Sequence, residues 1–427
     1  MYIHVVKQNE TIYSIAQMHG VTENIIAAVN NLYDLPYLIV GQALLILVPK
    51  KTYTVQIGDT LDKIARMNGI SLSELIMRNS NLTVNSTVYP GQTIVLEYTD
   101  DAQKNIQIYG YVYPRVSDQV ILRALPYATA CAIFGYGFRE DGSLITIDDS
   151  TLIKKCYANS TAPYMLLTSL TQDGNFSSSL SAKMFNDLAL QNKVISNCIE
   201  TMKRKGYMGI DLDFEYVNSE DRDAYSEFVR NTVSMMHKEG FSVNIDLAPK
   251  TSASQPGTLY EGHDYAALGA VADTVLIMTY EWGYTYGPPM AVAPADKVEK
   301  VVEYAVSEID NRKIFMGIPN YAYDWQLPFV KGSTRARGIG NEDAIRIAAR
   351  YGSQIEYDDT AKSPYFEYYA EDGIKHVVWF EDVRSIAEKF KIIDKYNLRG
   401  GGYWNFMRPF VQNFMYTGSQ YNISKII

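Results

Sequence analysis

The sequence predicts an α/β protein built on a (β/α)₈ barrel with a small α+β insertion, preceded by two small βααβ modules. Three observations carry this. The chain of 427 residues is too long for one ordinary compact domain. Its first hundred residues contain an internal duplication. From Asn105 onward, apolar β-rich runs alternate with helical stretches, the pattern of a parallel α/β domain.

The duplication comes first in the chain. His4-Val5-Val6 matches Tyr53-Thr54-Val55, and Thr11, Ile15, Ala16, Gly20 and Asn30 match Thr60, Ile64, Ala65, Gly69 and Asn79 at one offset. Gly41-Gln42 matches Gly91-Gln92 after one inserted residue. Each copy reads strand, helix, helix, strand. Thr11 and Thr60 precede helical periods carried by Ile12, Ile15, Ala16 and by Leu61, Ile64, Ala65. Pro90-Gly91-Gln92 is a turn before the apolar strand that runs from Thr93 to Leu96. The expected modules span residues 1–49 and 50–98. The polar stretch from Thr99 to Lys104, with Asp100-Asp101, is the expected boundary.

The large domain is expected over residues 105–427. Its candidate strands are Ile106–Tyr111, Cys131–Tyr136, Tyr164–Thr168, Gly209–Glu215, Val243–Ala248, Thr274–Tyr280, Ile314–Ile318 and Gly400–Trp404. Helical stretches such as Lys193–Lys205, Asp221–Lys238, Asp296–Ile309 and Val383–Tyr396 lie between them. Eight strands in roughly this length fit a closed barrel. A doubly wound open sheet is the alternative, but no Gly-rich phosphate loop follows the first strand. The gap before the last strand is too long for one helix, so residues 322–378 are read as an α+β insertion walling a cleft.

Gly209-Ile210-Asp211-Leu212-Asp213-Phe214-Glu215 is the most informative segment. Ile210, Leu212 and Phe214 point one way along a strand; Asp211, Asp213 and Glu215 point the other. Mid-domain parallel strands are covered on both faces. Three acids there repel one another and carry a large desolvation cost. They persist where chemistry demands them, and sites of this fold lie at the C-terminal strand ends, where Glu215 sits.

Composition narrows the function classes. A net charge of −9 without a Lys/Arg block argues against nucleic acid. No apolar run approaches the ~20 residues of a membrane helix, so no membrane insertion is expected. Cys131, Cys156 and Cys198 match no metal signature and read as reduced buried thiols. The five histidines, His237 and His263 among them, lack ligand spacing, so neither metal nor cofactor is expected. Met1-Tyr2-Ile3-His4-Val5-Val6-Lys7 already alternates like a strand, so no signal peptide is expected in this chain, and the expected state is a monomer.

Two resemblances add function. Tyr53-Thr54-Val55-Gln56-Ile57-Gly58-Asp59-Thr60-Leu61 and Pro90-Gly91-Gln92 resemble the LysM module; the first copy is looser, with Gln8-Asn9-Glu10 where Gly-Asp is usual. This implies binding to N-acetylglucosamine-containing glycans, peptidoglycan or chitin, with two weak binders in tandem raising effective concentration on a polymer. Asp211, Asp213 and Glu215 resemble the last three acids of the DxxDxDxE signature of family 18 glycoside hydrolases, with Met208 in place of the first. Asp246-Leu247-Ala248-Pro249-Lys250, Met278-Thr279-Tyr280, Gly317-Ile318-Pro319-Asn320-Tyr321 and Gly401-Gly402-Tyr403-Trp404 are similar to the family's patterns on the fifth to eighth strands.

The resemblance implies substrate-assisted, retaining hydrolysis, in which the 2-acetamido oxygen attacks the anomeric carbon. It implies that Glu215 is acid and then base, that Asp213 holds the acetamido N–H, and that Asp211 shares a proton or hydrogen bond with Asp213. Tyr280 would bond the acetamido oxygen and Trp404 would stack under the sugar. Met278, Glu281 and Tyr321 are the further substrate-binding candidates. Together the modules and barrel resemble spore cortex-lytic N-acetylglucosaminidases, which implies a peptidoglycan substrate and a spore (coat/cortex boundary) or cell-wall location. A spore protein made in the mother cell needs no export; a secreted chitinase does. A chitinase or chitooligosaccharide hydrolase shares the mechanism. A non-catalytic glycan-binding coat protein is the third reading, against which the retained Glu215, Asp213 and Tyr280 count.

Overall fold

The computed structural model describes residues 1–99 and 104–427; the boundary expected around Asp100-Asp101 falls on residues 100–103, outside the described residues. Each N-terminal module pairs its first and last strands antiparallel, Tyr2–Val5 with Ala43–Ile46 and Pro49–Thr54 with Thr93–Tyr98. Two short helices lie between each pair, Ile12–His19 and Glu23–Asn30, then Leu61–Met67 and Leu72–Met77. Thr11, Thr22, Thr60 and Ser71 accept backbone N–H groups at the four helix starts. The duplicated Asn30 and Asn79 explain why asparagine recurs at that offset. Each is buried, donates Nδ2 to its own helix and to the last strand (Ile26 O and Leu45 O; Leu75 O and Val95 O), and accepts from that strand's N–H. An apolar residue there would leave the strand's N–H and C=O without these partners.

The large domain is a closed TIM-type barrel. Its strands in order are Lys104–Val112, Ala130–Phe138, Ala162–Thr168, Gly209–Asp213, Ser242–Leu247, Thr274–Ile277, Ile314–Pro319 and Gly400–Trp404. Neighbours pair in parallel, and closure is made by the first strand, which bonds the second (Tyr109↔Ala130) and the eighth (Gly400↔Gln107). Two expected strands run too long: the ladder stops at Asp213 and Ile277, so Glu215 and Tyr280 lie on the loops beyond. Ile210, Leu212 and Phe214 face the surrounding helices, where Phe214 meets Phe185, Tyr225 and Phe228. The interior is filled by Tyr109, Tyr111, Phe134, Leu166, Leu276 and Phe315. Gly402 leaves room there, since a Cβ would stand 2.0 Å from Leu276 Cδ1. The three cysteines are buried free thiols.

Between the seventh and eighth strands lies a five-stranded antiparallel sheet with one helix, Asn341–Tyr351. Its strand Ala322–Leu327 pairs with Arg337–Ile339 and Lys375–Trp379, while Ser363–Tyr369 joins Lys375–Trp379 to Glu356–Asp358. After the eighth strand, helix Val411–Gln420 leads to strand Tyr421–Ile423, which pairs in parallel beside the start of the first barrel strand, Lys104 to Ile106.

The two modules differ in their surroundings. In the first, Ile39 packs among Ala322, Ala348, Phe366 and Phe380 of the insertion region. Ile355 N–H donates to Val40 O, Tyr37 OH to Ala349 O, and Asn31 Nδ2 to Glu342 Oε2. Gly41 adopts φ +86°, and a Cβ would stand 1.8 Å from Ile355 O. The matching turn of the second module makes the same internal bonds, Tyr89 N–H to Gln92 Oε1 and Gly91 N–H to Val55 O, but Gly91 has open space around it.

Candidate active site

Asp211 and Asp213 project into the barrel, both buried, and Glu215 stands at its mouth, half-buried. Asp213 and Glu215 reach one cavity, and Asp211 lies fully buried behind them. Asp211 accepts from Tyr109 OH at 2.8 Å and from Asn244 Nδ2 at 2.9 Å. Asp213 Oδ1 has no hydrogen-bond partner among the described residues. It lines a cavity of about 640 Å³ together with Glu215, Asp246, Met278, Tyr280 and Trp404. Tyr113, Phe134, Tyr260 and Trp282 add aromatic walls, which suit a sugar's apolar ring faces.

The backbone around Glu215 is bracketed by His263. Ala248 N–H donates to its Nδ1 at 3.0 Å, which leaves the proton on Nε2, 3.0 Å from Phe214 O. One neutral imidazole thus ties the ends of the fourth and fifth strands. Burial holds its pKa down at about 4. Beyond the bracket, Tyr216 and Glu281 both adopt left-handed backbone, φ +53° and +68°.

Charge explains the proton inventory. Among the described residues no Lys or Arg forms an ion pair with Asp211, Asp213, Glu215 or Asp246, and burial favours their neutral forms. Asp213 is pushed up by burial, then by the charges of Glu215 and Asp211. Glu215 is pushed up by burial and then by Glu281. Glu281 is itself gripped by Tyr321 OH and, at 3.1 Å, by Tyr323 OH from the insertion. Tyr321 therefore reaches the site behind Glu281. Trp404 lies 5.5 Å from Tyr111 and 5.7 Å from Phe134, ring centre to ring centre. Met208, where the resemblance lacks its first acid, is 37% exposed and donates its N–H to Pro163 O at the opposite end of the strand from Asp213.

Residues 111–408 match the glycosyl hydrolases family 18, and residues 4–46 and 53–97 match the LysM domain. The chain belongs to family 18 of the glycosyl hydrolases. It is 38% identical over 431 residues to the cortical fragment-lytic enzyme of Bacillus subtilis (strain 168), covering 100% of this chain and 99% of that one. The crystal structure of the Bacillus cereus spore cortex-lytic enzyme SleL superposes with a TM-score of 0.84 at 34% identity, covering 99% and 98%. Human di-N-acetylchitobiase is 27% identical over 286 residues, covering 60% of this chain and 70% of that protein. This family 18 protein is a glycoside hydrolase with two LysM domains, and among its described residues no helix is long and apolar enough to cross a membrane.

Sequence reasoning missed Tyr109, Tyr111 and Asn244, and gave Asp246 no part. A signal existed: Tyr109, Tyr111 and Tyr113 alternate with Ile108, Gly110 and Val112, so hydroxyls recur on one face of the first strand.

Proposed function

We propose that this enzyme hydrolyses the bond after N-acetylglucosamine in spore cortex peptidoglycan or its fragments, with Glu215 as acid and then base. The observation that carries this is the electrostatic state of Asp213. A two-carboxylate retaining mechanism needs an ionised nucleophile. Asp213 is buried, its Oδ1 has no donor among the described residues, and burial and then its acidic neighbours favour its neutral form, so it is a poor one. A substrate that brings its own acetamido oxygen removes that need. Glu215, also raised, keeps the proton that the leaving oxygen requires. Asp213 accepts the acetamido N–H and stabilises the positive ring that forms, Asp211 shares its proton, Tyr280 bonds the acetamido oxygen, and Trp404 floors the sugar. Met278, Glu281 and Tyr321 complete the substrate side. The product keeps its anomeric configuration.

Full-length similarity to cortical fragment-lytic enzymes, both modules included, favours peptidoglycan over chitin. The LysM domains hold the enzyme, acting as a monomer, on the wall at the coat/cortex boundary. Cortex fragments and chitin oligomers are incubated separately and the new reducing ends are weighed by mass spectrometry. N-acetylglucosamine ends from cortex support the reading; muramic-type ends overturn it.

A further inference from the structure

The fifth strand sends Asn244 and Asp246, two residues apart, into the barrel beside the fourth, with Asn244 opposite Asp211. Thr274 on the sixth strand donates its hydroxyl to Asn244 Oδ1 at 2.7 Å, which fixes the amide. Nδ2 then faces the acids, 2.9 Å from Asp211 Oδ1 and 3.4 Å from Asp246 Oδ1. On the first strand, Tyr111 OH donates to Asp246 Oδ1 and Tyr109 OH to Asp211 Oδ2, and the two rings pack edge to face 5.5 Å apart. Asp246 is therefore joined to Asp211 by a shared amide on one side and by paired phenols on the other. It is buried, yet it lines the same cavity as Asp213 and Glu215. An apolar residue would fill this place without the desolvation cost of a fourth acid.

We propose that Asp246 is a positioning residue for this reaction: tethered by Tyr111 and Asn244, it holds Asp211 in place and shares the proton of the buried acids with Asp213. The proposal rests on the roles given above to Glu215 and Asp213. The groups facing Asp246 are Tyr109 and Tyr111 from the first strand, Asp211 and Asp213 from the fourth, Glu215 and Tyr280 from the loops, and Tyr225 from the helix layer. None is a cation. Acids this close do not all ionise together; they titrate as a set. Burial, then Asp211 and Asp213, push Asp246 well above the usual carboxylate range. For Asp213 to stabilise the positive ring as a carboxylate, its own O–H bond must break. An O–H bond then forms on another carboxylate of the set, and the set's total charge is unchanged.

The test is the pH profile of kcat/KM for full-length Asp246→Asn. We expect kcat to fall about tenfold or more with KM within about threefold, because misplacement behind a site is felt in turnover. The alkaline limb moves to lower pH by roughly half a unit or more, since the remaining acids lose one negative neighbour. Tyr111→Phe keeps the carboxyl but removes its donor, which raises its proton affinity; Asp246 is then less negative beside the other acids, and the limb again moves to lower pH, by less than in Asp246→Asn. It answers the question if Asp246→Asn does not fold. Variants that melt like the parent and whose profiles superimpose on the parent's overturn the proposal. An active Glu215→Gln would instead overturn the catalytic reading beneath it.

Discussion

Ile39 and Tyr89 occupy the same place in the same hydrogen-bonded turn of two duplicated modules, yet Ile39 is 4% exposed and Tyr89 67%. The first module's turn is a plug in the insertion; the second's faces solvent. Ile39→Ala should therefore cost about 2–4 kcal/mol of stability as a cavity opens. Gly41→Ala combines an unfavourable φ with a clash against Ile355 O and should also destabilise. Tyr89→Ala should leave the melting temperature nearly unchanged while weakening retention on cortex. Thermal melts and sedimentation with purified cortex check all three.

Glu215→Gln keeps the side chain's size and removes its transferable proton. Turnover on cortex fragments should drop by about 10²–10⁴, with melting and adsorption to cortex intact. Residual activity above about a tenth of the parent's would contradict the assigned role.

Glu281 is the carboxylate that raises Glu215 after burial has done so. A negative neighbour disfavours ionised Glu215 and keeps it protonated to higher pH. Glu281→Gln should let Glu215 lose its proton sooner, so the alkaline limb of kcat/KM moves to lower pH. An unmoved limb would show that Glu281 acts on substrate alone.

His263 should leave a mark on stability against pH. Its folded pKa of about 4 lies below the unfolded value near 6.5, so unfolding takes up a proton between them. The neutral imidazole's contribution is whole above about pH 6.5 and is lost as pH falls to about 4, a change of about 3 kcal/mol. Chemical denaturation across that range measures the slope. His263→Ala should be less stable at neutral pH by roughly 2–4 kcal/mol and should lose this part of the slope.

The barrel was legible because hydrophobic period and strand spacing are local properties. The acids of the fourth strand stood out because alternation put three of them on a face that had to be buried. Side-chain pattern also misled: alternation continues to Glu215 and the β-rich run to Tyr280, whereas the backbone ladder ends at Asp213 and Ile277, and side-chain pattern does not report where hydrogen bonding stops. Asn244 read as an ordinary strand residue, and Asp246 only as the start of a fifth-strand motif without a role of its own, because their meaning lies in Tyr109 and Tyr111, more than a hundred positions away. The burial of Ile39 was invisible for the same reason, its partners lying some three hundred residues downstream.

The second LysM domain enters at Pro49 and leaves at Tyr98, which pair directly, and Thr99 N–H donates to Val48 O. Its two ends meet, while the first domain before it and the barrel after it are locked to each other. Topologically it is a cartridge clipped into an otherwise continuous body. Exchanging it for another carbohydrate-recognising domain with adjacent ends, and with the seam kept that Met77, Val95 and Tyr98 form against the barrel domain, should redirect the enzyme to a new surface while the cutting machinery stays assembled.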